Sequence, residues 1–190
     1  MRSAVAGVLL AAGEGSRFGR PKALVELDGQ TLAERGVTLL RAGGTDPVLI
    51  VTGAAQVELR PEHQARTVYN GEWRTGMGSS LRAALRALTE LEAGQEAGQE
   101  IGAVVVALAD QPLVGADAWR AVGAAQATPI AVATFRGERR PPVRLVAEVW
   151  SLLPTSGDEG ARALMRERPH LVTEVPCSGE AVDIDTLEDL

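Results

Sequence analysis

Apolar runs of strand length alternate along this chain with amphipathic stretches of helical length, a pattern that predicts a sheet covered by helices on both faces. Val5 to Ala11 is the first such run. Thr31 to Ala42 then places Leu32, Gly36, Leu39 and Leu40 on one helical face, and Gly43-Gly44 stops it. Pro47 to Thr52 predicts a second strand and Arg66 to Tyr69 a short third. Ser79 to Glu92 carries Leu81, Leu85, Leu88 and Leu91 on one stripe, as a helix packed on a sheet does. Ala103 to Ala109 is the most β-branched run and predicts a fourth, buried strand. A fifth spans Ile130 to Phe135 and a sixth Val143 to Val146, joined by the charged turn Arg136 to Arg140, which suggests a hairpin or an antiparallel edge. The elements together imply an α/β fold on a mixed sheet.

With 190 residues the chain has the size of one globular domain, residues 1–190, and little room for a separate substrate domain. Its formal net charge of −6, from 19 Lys and Arg against 25 Asp and Glu, argues against nucleic acid as the main partner. A lone cysteine, Cys177, closes no internal disulfide, and neither His63 nor His170 belongs to a cluster with metal-ligand spacing. The apolar run of about nine residues from Ala4 is too short for a bilayer and continues into a glycine-rich loop, so a cytoplasmic protein without membrane attachment is expected. Between Glu92 and Glu100 the tetrad Ala-Gly-Gln-Glu occurs twice in succession. It reads as a low-complexity insertion at a surface connection, with a binding or regulatory loop as the other reading.

The first strand runs into Leu10-Ala11-Ala12-Gly13-Glu14-Gly15-Ser16-Arg17-Phe18-Gly19-Arg20-Pro21-Lys22. A dinucleotide fingerprint needs glycine at position 18, where Phe18 stands, and Val51-Thr52-Gly53 supplies no carboxylate for a ribose. A P-loop needs Gly-Lys-Ser/Thr, whereas Lys22 follows proline. There remains a loop of glycines and cations at the C-terminal edge of a sheet, where open α/β folds bind ligands. Backbone N–H groups can approach phosphate oxygens there, and cations can neutralise a polyphosphate. Taken alone, the loop is equally a tight surface turn with solvated charges.

From Leu10 to Lys22 the sequence resembles the nucleotidyltransferase family whose loop reads L-A-A-G-x-G-x-R-x-G-x-P-K. Gly76-Met77-Gly78-Ser79-Ser80-Leu81 is similar to that family's Gly-Met-x-x-Ser-Leu segment, and Leu108-Ala109-Asp110-Gln111-Pro112 to its L-A-D-Q-P metal segment. Gly157-Asp158-Glu159-Gly160-Ala161-Arg162 resembles a G-D-x-G-A-R motif, and Asp183-Ile184-Asp185-Thr186 with Glu188-Asp189-Leu190 its closing D-I-D-T-P-E-D-L. This set is most similar to the molybdenum cofactor cytidylyltransferase branch, relatives of molybdopterin guanylyltransferase. The resemblance implies a three-layer α/β/α domain on a Rossmann-like, glycosyltransferase-A type sheet. It also implies transfer of a nucleoside monophosphate from an NTP, CTP preferred, to molybdopterin or a similar phosphorylated small molecule, with Mg²⁺ bound, pyrophosphate released and a molybdoenzyme as a further partner.

An anionic nucleophile attacking an anionic α-phosphate needs neutralisation on both sides, because repulsion in a partly dry cleft is worth on the order of several kcal/mol. By resemblance Arg17 and Lys22 act on the triphosphate together with Asp110 as the catalytic set, and Leu10, Ala11, Ala12, Gly13, Gly15, Gly76, Met77 and Ser80 bind the nucleotide. Asp110 and Asp183, with Asp185 as second choice, are the expected Mg²⁺ ligands, since hard cations take carboxylate and phosphate oxygens. Asp110 is otherwise a turn or cap residue, and Asp183 and Asp185 otherwise alternate on a solvated strand face. Ser79 and Ser80 also suit a helix N-cap. Asp158 and Arg162 face the acceptor by resemblance, or else form a simple i,i+4 pair.

Two departures bear on the acceptor. Arg140-Pro141-Pro142-Val143 stands where the branch often has Gly-His-Pro-Val, and Leu187 replaces the proline after D-I-D-T. Within the class the rivals are a guanylyltransferase, which usually reads Leu-Ala-Gly-Gly where this chain has Ala12, and a sugar-phosphate nucleotidyltransferase. Outside it stand a non-catalytic nucleotide-binding module or molybdoenzyme chaperone, and a nicotinamide-dependent oxidoreductase.

Overall fold

The computed structural model describes residues 3–16, 18–94 and 100–184. In chain order its strands are β1 (Ala4–Leu10), β2 (Glu26–Leu27), β3 (Gln30–Thr31), β4 (Val48–Thr52), β5 (Ala65–Tyr69), β6 (Ile101–Leu108), β7 (Ile130–Phe135), β8 (Glu138–Val146) and β9 (Val172–Pro176). The α-helices are α1 (Leu32–Ala42), α2 (Met77–Ala93), α3 (Ala116–Ala124) and α4 (Ala161–Glu167). Seven strands form one sheet in the order β5-β4-β1-β6-β8-β7-β9, and β2 with β3 makes a separate ribbon. Within the seven-stranded sheet all neighbours run parallel except that β8 is antiparallel to both β6 and β7, and the β2–β3 ribbon is antiparallel.

Strands buried on both faces need apolar residues at every position, which is why β1, β4 and β6 read as unbroken apolar runs. Along β1, Ala6, Val8 and Leu10 face one layer with Leu81, Leu85 and Leu88 of α2 and Leu164 and Met165 of α4. Leu9 faces the other, with Val37 and Leu40 of α1 and Trp119 and Val122 of α3. The result is the expected α/β/α sandwich. Stretch 116–124 carries its own apolar period, Ala118, Trp119 and Val122, all buried.

Two details differ from the sequence expectation. The hairpin of β7 and β8 is present, but β8 is not an edge: it lies between β6 and β7, and the edges are β5 and β9. The charged residues Glu138 to Arg140 belong to β8 itself and extend past the end of the apolar stretch, so the sixth strand is nine residues long. On α1 the buried positions are Leu32, Ala33, Glu34, Val37 and Leu40, with Gly36 and Leu39 at the margin. Gly36 still faces β1, where an added Cβ would lie 2.7 Å from Leu9, and Leu39 packs against the same core, so both keep to the expected face.

A capping box starts α1. Thr31 Oγ1 accepts from Glu34 N at 3.1 Å, and Glu34 Oε2 accepts from Thr31 N at 3.0 Å. Such a cap contributes about 1 kcal/mol, and the Thr-x-x-Glu spacing announces it. Glu34 Oε1 also accepts from Arg60 Nε at 2.9 Å. The backbone N–H of Thr31 foremost, against the opposing effect of burial, holds the Glu34 carboxyl below its usual range, with Arg60 adding to the pull.

Candidate active site

At the C-terminal ends of β1 and β6 a cleft of about 730 Å³ opens, lined by Leu10 to Ser16, Lys22, Gly76, Met77, Ser80, Asp110 and Asp158 among others. Of the residues expected to bind nucleotide, the described ones all line it. Arg17 and Asp185 lie outside the described residues, as do residues 95–99 of the Ala-Gly-Gln-Glu repeat.

The phosphate-loop wall is built by backbone. Ala11 N donates to Val51 O at 2.9 Å and Ala109 N to Leu10 O at 3.2 Å, so the strand exit is clamped from both sides. Beyond it Gly13 borders open space. Gly15 has φ +64°, and a Cβ there would sit 2.0 Å from Arg20 O, so only glycine closes this turn. Its carbonyl accepts from Phe18 N and Gly19 N. Phe18 is itself buried with Val25, Leu32 and Ile184, which fastens the loop to the C-terminal segment. The residue that breaks the dinucleotide fingerprint is thus a core residue.

Asp110 follows β6 at the floor of the cleft. Its Oδ2 accepts from Lys22 Nζ at 3.1 Å, while its Oδ1 is buried with no hydrogen-bond partner among the described residues. Burial is the largest influence on this carboxyl and pushes it up; Lys22 pulls it down, and Asp183 nearby pushes it up again, with a net rise. Ile184 N donates to Asp110 O at 2.8 Å, which brings the distant segment alongside. Asp183 is held by Gln111 Nε2 on Oδ1 at 2.6 Å and by Arg140 Nη1 on Oδ2 at 3.3 Å. It lies in an irregular segment, not on a solvated strand face. A buried oxygen without a donor among the described residues, beside a second carboxylate, is a pair of hard ligands of the kind a divalent cation takes. Among the described residues no three His, Cys, Asp or Glu side chains converge as a metal cluster.

The opposite wall is the start of α2. Gly76 has φ +106° and a Cβ there would meet Gly157 C at 2.5 Å; Gly78 N donates to Gly157 O and Gly157 N to Thr75 O. The Gly-Met and Gly-Asp motifs therefore interlock backbone to backbone. Ser79 and Ser80 do not cap α2: Gly76 is the N-cap residue and no side chain caps it. Both hydroxyls are buried and accept from Asn70 Nδ2 instead, at 2.9 and 3.0 Å.

A second pocket of about 320 Å³ shares Leu10, Met77 and Leu108 with the cleft. Leu81, Val106, Val132, Val143 and Met165 give it an apolar floor, and Arg139, Arg140, Arg162 and Arg166 rim it together with Glu159, whose carboxylate accepts from Arg166; Arg139 pairs with Glu174 and Arg140 with Asp183. Arg162 faces this pocket and Asp158 the cleft, and the two form no ion pair among the described residues. The i,i+4 alternative fails because Asp158 precedes α4, separated from it by Gly160. Asn70, Gln111 and the apolar pocket are not among the site features read from the sequence, and Arg140 enters there only as part of the departure that bears on the acceptor. Gln111 stands inside the L-A-D-Q-P motif and was within reach; Asn70, followed by Gly71, reads only as a turn.

The cleft thus brings a glycine-built loop and a carboxylate pair together at the strand ends of an α/β sheet. Residues 7–172 match the model of the MobA-like NTP transferase domain, and the chain belongs to that family of nucleotidyltransferases. It is 36% identical to the nicotine blue oxidoreductase of Paenarthrobacter nicotinovorans, over 98% of this chain and 94% of that protein. With the probable molybdenum cofactor guanylyltransferase of Opitutus terrae it shares 43% identity over 45% of this chain and 41% of the relative. The solved structure of a nucleotidyl transferase from Methanothermobacter thermautotroptrophicus superposes with a TM-score of 0.77 at 25% identity, covering 98% of this chain and 94% of that one.

Proposed function

We propose that this nucleotidyltransferase transfers CMP from CTP to molybdopterin or a similar phosphorylated small molecule, with Mg²⁺ bound and pyrophosphate released. The observation that carries this reading is the buried Oδ1 of Asp110, without a hydrogen-bond partner among the described residues, beside Asp183 in the cleft that the glycine loop also lines. Asp110 and Asp183 hold the metal, which supplies positive charge on the phosphate oxygens as charge develops in transfer. Lys22 leaves its pairing with Asp110 to neutralise the triphosphate. Arg17 joins it by the family motif, and Gly13 and Gly15 present backbone donors. Ala12 carries a methyl at the cleft wall where the guanylyl branch has glycine, which supports the smaller base. The acceptor's body rests on the apolar floor next door, its phosphate held between Arg140 and Arg162 and directed at the α-phosphate. No side-chain nucleophile is needed, since the acceptor phosphate attacks directly. The reaction belongs in the cytoplasm, and a molybdoenzyme that consumes the product is the fitting partner.

The test is a panel of CTP, GTP, UTP and ATP, with and without Mg²⁺, read as thermal stabilisation and as pyrophosphate release on addition of acceptor. CTP is expected to stabilise most, and only with metal. Preference for GTP moves the chain to the guanylyl branch, in keeping with the name of the Opitutus terrae relative. The name of the Paenarthrobacter nicotinovorans relative brings a second reading, an oxidoreductase using the same cleft. Binding of a nicotinamide cofactor with no response to any triphosphate would favour it.

A further inference from the structure

Resting on the reading of the cleft as an NTP site, we infer that Asn70 determines which base is accepted by fixing the hydrogen-bond polarity of Ser80. Asn70 is 5% exposed and sits just past β5, under the start of α2. Its amide orientation is set by chemistry: Oδ1 accepts at 3.0 Å from the backbone N–H of Glu72, a group that can only donate. Nδ2 is therefore the other terminus, and it donates to Ser79 Oγ and Ser80 Oγ. Both hydroxyls become acceptors toward Asn70, and each must place its own hydrogen elsewhere.

Ser79 places it on Gly76 O at 2.8 Å or Glu72 O at 3.0 Å, both behind the helix start. Ser80 has no acceptor within the described residues, and it lines the cleft. Its hydrogen points to a ligand, so Ser80 is a donor to whatever base edge lies against it. A pyrimidine offers an acceptor nitrogen at position 3 when it is cytosine and a donor N–H there when it is uracil. With the position-3 edge of the base against Ser80, a donor held in one sense pairs with the first and leaves the second facing it with an unpaired N–H. Asn70 does not touch the nucleotide; it is a positioning residue that acts through Ser80.

Substitution separates this role from a merely structural one. Asn70→Asp keeps the acceptor for Glu72 N but offers only oxygens to the serines, so Ser80 must turn its hydrogen inward and present lone pairs to the cleft. Asn70→Ala releases the hydroxyl to rotate, and Ser80→Ala removes it. Binding of CTP, UTP and tripolyphosphate is measured by titration calorimetry with Mg²⁺ on the full chain. The wild type is expected to favour CTP over UTP by about tenfold or more. In Asn70→Asp the preference turns toward UTP, and in Asn70→Ala and Ser80→Ala it falls toward unity. Tripolyphosphate affinity is expected to stay unchanged in Asn70→Ala and Ser80→Ala, which a general collapse of the cleft would not allow, while the added charge of Asn70→Asp weakens all three ligands alike and leaves the CTP to UTP ratio as its readout. If Asn70→Asp does not fold, the two alanine variants decide. A CTP to UTP ratio that survives all the folded variants overturns the inference while leaving the nucleotidyltransferase reading intact, as does a wild type that does not distinguish CTP from UTP. A wild type that binds none of the three removes both.

Discussion

The two halves of the sheet build their pockets by different means. Around β1, β4 and β6 the cleft wall is backbone: a glycine turn, a helix start without a side-chain cap, and a few charged side chains at strand ends. Around β8, β7 and α4 the pocket is made of side chains from segments far apart in sequence, Val132, Val143 and Met165 below and four arginines above. On the proposed reading a triphosphate, which presents the same oxygens whatever its base, suits a fixed backbone cradle and leaves a contiguous motif behind, whereas an acceptor's shape is matched by side chains, which can change one at a time. The family pattern accordingly holds from Leu10 to Lys22 and departs at Arg140-Pro141.

The widest gap between the halves is expected at Asp110. Asp110→Asn lowers Mg²⁺-dependent pyrophosphate release by about 10³-fold, the scale of losing a group that stabilises developing charge. It keeps the fold, because the side chain lines the cleft and asparagine has the same shape. Full activity in this variant would place the metal elsewhere.

Lys22→Ala removes a charge-assisted contact of roughly 1.5–3 kcal/mol and is expected to weaken every NTP alike, since it serves the phosphates. A loss confined to one base would contradict a backbone-and-charge cradle.

Arg140→Ala sharpens the contrast from the other side. The acceptor's KM rises by about tenfold, because a partly exposed arginine to an anion is worth about one to two kcal/mol, while the KM for the NTP stays put. An equal rise in both would mean that Arg140 acts mainly through its contact with Asp183.

The smallest effect lies outside both pockets. Glu34→Gln costs about 1 kcal/mol at pH 7 by weakening the capping box and the Arg60 contact. Because the Glu34 carboxyl is held below its usual range, its contribution is present above that range and lost as pH falls through the lowered value. Thermal melts of wild type and variant should converge toward low pH; a constant difference would mean that charge plays no part in the cap.

Local chemistry made much of this legible in advance. Unbroken apolar runs foretold the buried strands β1, β4 and β6, because a strand covered on both faces has no room for alternation. Gly15 and Gly76 mark conformations that side chains resist, and Asp110 ends a strand whose direction carries it to the ligand edge. Sequence alone therefore determined the layered α/β arrangement, the glycine loop and the strand-end carboxylate.

Tertiary structure decided what depends on partners remote in the chain. The strand β8 looks like an edge until β6 is seen to take its other side, and the edge strand β9, Val-Thr-Glu-Val-Pro, has too little apolar periodicity to announce itself. Asp183 reaches Asp110 only because Ile184 docks under Phe18 and pairs with the end of β6. Asn70 governs Ser80 only because β5 ends beneath the first turn of α2. A hydrogen bond's partner is set by where two segments meet, and that meeting is settled by the packing of the whole sheet.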